Sequence, residues 1–174
     1  MNDEKGQLSG EYMLLVGSLI VVLMISIFMI ANENELNIAM AAAKSGADEG
    51  VASSSSAIYP KETFNEYDDM EGLKHPYSVS IVNVSYNSSG IDENYGKQKI
   101  QFKVYAKASV DYNKKELDSI GDRINYNLRK SVATSFNTAN STNKLYNPVF
   151  SNNYVFTTAN VVWAVSYTHL TLPT

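Results

Sequence analysis

The sequence predicts an α+β protein: a long amino-terminal α-helix, transmembrane in its first half, then a small antiparallel-sheet globular domain with one amphipathic helix. Three patterns predict it. An uncharged apolar run, YMLLVGSLIVVLMISIFMIA, extends from Tyr12 to Ala31, and about 20 such residues cross a bilayer as a helix. From Lys99 to Asp111 apolar and polar residues alternate, the signature of a strand with one buried face. From Lys114 to Phe136 apolar residues recur at steps of three and four, the signature of an amphipathic helix.

The apolar run does not end the first helix. After the polar patch Asn32–Glu35, a narrow seam recurs at Leu36, Met40, Ala43, Ala47, Val51, Ser54 and Ile58. Its steps of three and four keep helical period, and alanine is a strong helix former. Pro60 stops it, because the residue before a proline resists helical geometry. One helix is therefore expected over residues 7–59, about 75–80 Å long at 1.5 Å per residue, with its transmembrane part at 12–31. The small residues of the seam allow close approach to the chain's own domain or to neighbouring helices. Gly46, Gly50 and the Ser53–Ser56 run are expected to loosen the last turns.

Residues 60–163 are expected to form the exported domain. Lys61–Pro76 is polar and punctuated, and predicts a loop. Its acidic cluster Glu66, Asp68, Asp69 and Glu71 fits no EF-hand spacing and is expected to be solvated. Tyr77–Tyr86 predicts a strand. Val79 and Ile81 lie on one phase and Val82, Val84 and Tyr86 on the other, so either a bulge between them or burial of both faces in part is expected. Asn87–Gly96 predicts a turn region. In the next strand Ile100, Phe102, Val104, Ala106, Ala108 and Val110 share one face. The helix that follows carries its stripe at Leu117, Ile120, Ile124, Leu128, Val132 and Phe136, with Asp111 or Asn113 as N-cap. Gly121 costs it about 1 kcal/mol relative to alanine. Val149–Phe150 and Tyr154–Thr157 flank Asn152-Asn153 and predict a hairpin. Asn160–Trp163 predicts one more strand. Residues 164–174 end in VSYTHLTLPT, which resembles the translation of a sequencing-library adapter. This tail is expected to be non-native and is set aside from fold and site reasoning.

Composition excludes several kinds of chemistry. The 174 residues include no cysteine, so neither a disulfide framework nor a thiolate metal site can form. The formal net charge of −4 gives no basic patch of the kind nucleic acid requires. Before the tail the only histidine is His75, a loop residue. No serine sits in a nucleophile motif, and no glycine loop cradles phosphate. No catalytic residue, metal site or cofactor is expected, and the chain is not read as an enzyme.

The residues ahead of the span carry the functional signal. An ordinary secretory signal is cut after its apolar run, but the small residue that looks like a cutting point, Gly6, lies before it. Gln7 follows, Ser9 and Glu11 stand in register behind it, and Tyr12 opens the span. A carboxylate at the entrance of a membrane helix is costly without a partner. If the chain is cut after Gly6, the amine of Gln7 becomes that partner on a staggered neighbouring copy. The charge-assisted pair would set register more than add net stability. Glu11 also complements the helix dipole, by roughly 0.3–1 kcal/mol.

The combination Lys5, Gly6, Gln7, Ser9, Glu11 and Tyr12 resembles the class III signal peptide of type IV pilins, most closely the archaeal pilins. The resemblance covers roughly the first fifty residues. It implies a prepilin whose leader, residues 1–6, is removed between Gly6 and Gln7 by a prepilin peptidase. An assembly ATPase and a membrane platform protein are the further partners it implies. The mature subunits would self-associate, leaving the cell membrane for an extracellular surface filament used in adhesion. Two other readings stand beside it. One is a pseudopilin of a secretion or tight-adherence system. The other is an uncleaved single-pass surface binding protein.

Three sequons begin at Asn83, Asn87 and Asn140 and would accept N-glycans on an exported domain. Asn87 and Asn140 are expected in loops, and Asn83 inside a strand.

Overall fold

The computed structural model describes residues 3–52, 78–143 and 145–164, with side chains described from residue 10 onward. The element order is α1 (Asp3–Ala52), β1 (Val79–Asp92), β2 (Lys97–Ala108), α2 (Lys114–Ser135), β3 (Val149–Phe150), β4 (Tyr154–Thr158) and β5 (Val162–Ala164), with a 3-10 turn at Ala139–Ser141. This is the expected α+β architecture. The chain divides into two compact units, Met1–Asn37 and Ile38–Thr174. The remainder of the helix expected up to Tyr59, the acidic cluster and His75 lie outside the described residues, as does the tail after Ala164.

The second unit is built on one sheet of order β1-β2-β4-β3, with β5 also on β2. β1 and β2 form an antiparallel hairpin. Its turn closes with Gly96 N–H donating to Asp92 O at 2.8 Å, and Gly96 has a φ of 62°, a conformation that glycine adopts without a Cβ penalty. Of the two alternatives for β1, the bulge is present: Ile81 pairs with Ala106 and Asn83 with Tyr105, leaving Val82 extra. The strand outruns its expected end at Tyr86 and continues to Asp92. Asn87 therefore sits opposite Gln101 in the ladder, not in a turn. The run Asn87–Gly90 is polar and exposed on both faces, so its sequence has no alternation to mark it as strand.

The sheet is mixed, which corrects the expectation of an all-antiparallel one. β4 runs parallel to β2, pairing Ile100 with Phe156, and β5 also runs parallel to β2, pairing Ala106 with Trp163. The cause is the connection. β3, the first strand after α2, runs antiparallel to β4 and so against the direction of β2; the β3–β4 turn reverses the chain once more and brings β4 in parallel to β2. The β3–β4 hairpin forms about Asn152-Asn153 as expected, with Val149 opposite Phe156.

β2 supplies the middle of the core. Ile100, Phe102, Val104 and Ala106 are buried along one face. The face ends there: Ala108 is half-buried, and Val110 lies beyond the strand and is exposed. Ile120, Ile124, Leu128 and Val132 of α2 are buried, as their spacing predicts, and each such side chain adds roughly 1.5–3 kcal/mol by leaving water. Phe102 and Phe136 both stack near-parallel on Phe156, with ring centroids 5.6 and 5.7 Å away. The N-cap of α2 is Asn113. It closes a capping box with Glu116: each backbone N–H donates to the other's side chain at 2.9 Å, satisfying two of the helix's orphan donors.

α2 is buried on more than one side because the last turns of α1 pack against it. Ala39, Ala42, Ala43 and Ala47 are buried, and so are Gly46 and Gly50. The seam is thus rotated by about one residue from the expected one, since Met40 and Val51 are only half-buried. The glycines explain the rotation. A Cβ on Gly46 would lie 2.6 Å from Asn127 O and 2.8 Å from Leu128 Cα, and one on Gly50 would lie 2.8 Å from Ile124 Cα. These glycines do not loosen the helix; they are where its backbone meets α2.

Candidate functional site

The candidate site is the amino-terminal part of α1. Lys5, Gly6, Gln7 and Ser9 all lie on the backbone of this helix, ahead of Glu11 and Tyr12. Gln7 and Glu11 are one helical turn apart, about 6 Å along the axis, and share a face. Both Glu11 and Tyr12 are exposed.

From Tyr12 to Ala31 every residue is exposed except Val16, which is half-buried. The exposed set includes Leu14, Leu19, Ile20, Leu23, Ile27 and Phe28. Such a surface is far larger than the apolar patches a soluble monomer tolerates. At 1.5 Å per residue its 20 residues span about 30 Å, the thickness of a bilayer's hydrocarbon. Among the described residues α1 is the one helix long and apolar enough to cross a membrane.

The polar atoms inside this stretch are satisfied within the helix. Ser18 Oγ donates to Leu15 O and Ser26 Oγ to Val22 O, each at 2.8 Å. In hydrocarbon this matters, because no water is present to take those protons. Gly17 has nothing within 4 Å of where a Cβ would stand, so the helix offers an open notch there. Small residues of this kind let membrane helices approach closely. Charge returns at Glu33 and Glu35, beyond the run.

The three sequon asparagines are all exposed. Asn83 and Asn87 both lie in β1, opposite Tyr105 and Gln101. They are four residues apart, with no register shift between them, so they share a face of the sheet. Asn140 lies in the 3-10 turn. No group of acidic or histidine side chains among the described residues is arranged to hold a metal ion.

Comparison of the chain with models of known protein families, with curated proteins and with solved structures finds no match.

Proposed function

We propose that this chain is the structural subunit of a type IV pilus-like surface filament. In this reading it is made as a membrane-anchored precursor, and a prepilin peptidase cuts it between Gly6 and Gln7. It then polymerises through its amino-terminal helix and serves adhesion. One observation carries the reading: an apolar span exposed at every residue but Val16, with Glu11 at its entrance, continues as the same helix whose later turns pack in the globular domain. A cut before the span leaves it on the mature protein, whereas a cut after Ala31 would remove it. Neighbouring spans would then bury one another, with apolar burial and close packing at notches such as Gly17 driving assembly. The amine of Gln7 would neutralise Glu11 of a neighbour and select the stagger.

Amino-terminal sequencing of protein recovered from cell membranes and from sheared surface material tests it. The expected mature form begins at Gln7 and is the form present in filaments. Recovery of chains that all retain Met1 or Asn2, held singly in lipid, would overturn the proposal and leave an uncleaved surface protein.

A further inference from the structure

We propose that the groove between α2 and the Asn160–Trp163 segment binds a neutral saccharide. The inference does not depend on polymerisation. It rests on the second unit alone, where the groove has a volume of about 350 Å³, within the range of small-ligand sites, roughly 300–1,000 Å³.

One wall is a single face of α2: Lys114, Asp118, Asp122 and Asn125 follow one another at helical spacing and all line the groove. The opposite wall is Trp163, held by the pairing of β5 with β2. Gly121 lies between them. A Cβ there would stand 4.0 Å from Trp163 Cζ2, so the lack of a side chain leaves the edge of the indole uncovered. Trp163 is half-buried: its ring is supported by the fold and keeps a surface for a ligand.

The polar groups match a polyhydroxyl compound better than an ion. Asp118 and Asp122 accept hydrogen bonds, and Lys114 donates them. Asn125 is 6% exposed. It donates through Nδ2 to Ala159 O at 3.0 Å, while its Oδ1 has no hydrogen-bond partner among the described residues. An anion would meet two carboxylates and one ammonium. A cationic amine would leave Lys114 without an acceptor. A pyranose has an apolar C–H face to lay on the indole and a rim of hydroxyls that both donate and accept.

The chain has a single tryptophan, so its indole emission reports on this groove alone. The test uses the full chain in a detergent without a sugar headgroup. It is titrated with methyl glucosides, galactosides and mannosides and with N-acetylglucosamine, and separately with choline and inorganic phosphate. The expected result is a saturable change in emission with at least one sugar. Asp118→Ala, at an exposed position, should keep the far-ultraviolet circular dichroism of the parent and weaken that binding about tenfold or more. Lys103→Ala, on the other face of the sheet, should leave it unchanged. The proposal is overturned if no sugar alters the emission, if Asp118→Ala binds as the parent does, or if choline or phosphate binds more tightly than every sugar.

Discussion

Gly46 of α1 lies against the backbone of Asn127 in α2 so closely that a Cβ on it would stand 2.6 Å from the Asn127 carbonyl oxygen. Ser131 Cβ and Leu128 Cα would be 2.7 and 2.8 Å away. Two of these three atoms belong to a helix backbone, which cannot swing aside as a flexible side-chain end would. Gly46→Ala must therefore push the helices apart, and overpacking of that kind costs roughly 1–3 kcal/mol. Alanine's better helix propensity returns at most about 1 kcal/mol. We expect a net loss of up to about 2 kcal/mol in the stability of the second unit, read as a lower melting temperature by circular dichroism. An unchanged or higher melting temperature would show that the two helices do not meet there.

Gly121 is the contrasting case on α2. Its nearest neighbours, Val161 Cβ and Cγ2, would lie 3.4 Å from an added Cβ, an ordinary van der Waals contact. Alanine fits without displacement and removes the conformational freedom glycine has in the unfolded chain. Gly121→Ala should stabilise by roughly 0.4–1 kcal/mol, measured by the same melting experiment. Destabilisation would mean that Val161 packs more tightly on α2 than its distance implies.

These two glycines show how far local pattern reaches. Nothing in the sequence separates Gly46 from Gly121: each is a glycine inside a helical stretch. What separates them is whether another backbone lies opposite, and that is set by tertiary packing. The stripe of α2 and the alternation of β2 are legible because burial repeats at the period of the element. The bulge at Val82 is legible because it shifts that period. The parallel pairing of β4 and β5 is not, since the direction in which a strand meets β2 is set by the path of the chain through β3 and its turn and not by local composition. The polar end of β1 was hidden because neither of its faces is buried. The exposed span of α1 and its carboxylate are legible from composition alone. The groove at Trp163 is not, because Asp118 and Trp163 are 45 residues apart in the chain and meet only through the sheet.

Tyr126 gives a pH test of the packing on α2. Burial is the main cause holding its phenol above the ordinary value of 10.0; neighbouring Tyr146 adds to the rise, and Arg129 opposes it. The two tyrosine rings meet edge to face at 5.6 Å. A phenol whose pKa is higher folded than unfolded adds stability that is fully present below about pH 10 and is lost as pH climbs through the folded value. Denaturant melts should therefore show the second unit weakening as pH rises above about 10, and Tyr126→Phe should weaken less over the same interval. Parallel curves for parent and variant would mean that the Tyr126 phenol has the same pKa folded and unfolded.

Glu11 tests the assembly reading, because its expected role concerns a neighbouring copy more than its own helix. Its side chain is exposed at the entrance of the span, so substitution leaves the core of the second unit untouched. Glu11→Ala removes the expected partner of the Gln7 amine, while the apolar run that drives insertion remains. We expect membrane insertion and removal of residues 1–6 to be retained and the yield of sheared filaments to fall about tenfold or more, the order set by losing a charge-assisted hydrogen bond. Glu11→Gln keeps the length and loses the charge, so it should resemble the alanine variant if charge sets the stagger. If Glu11→Gln restores full yield while Glu11→Ala does not, side-chain size and hydrogen bonding matter and the charge pair does not. If both variants assemble as the parent does, Glu11 has no part in register.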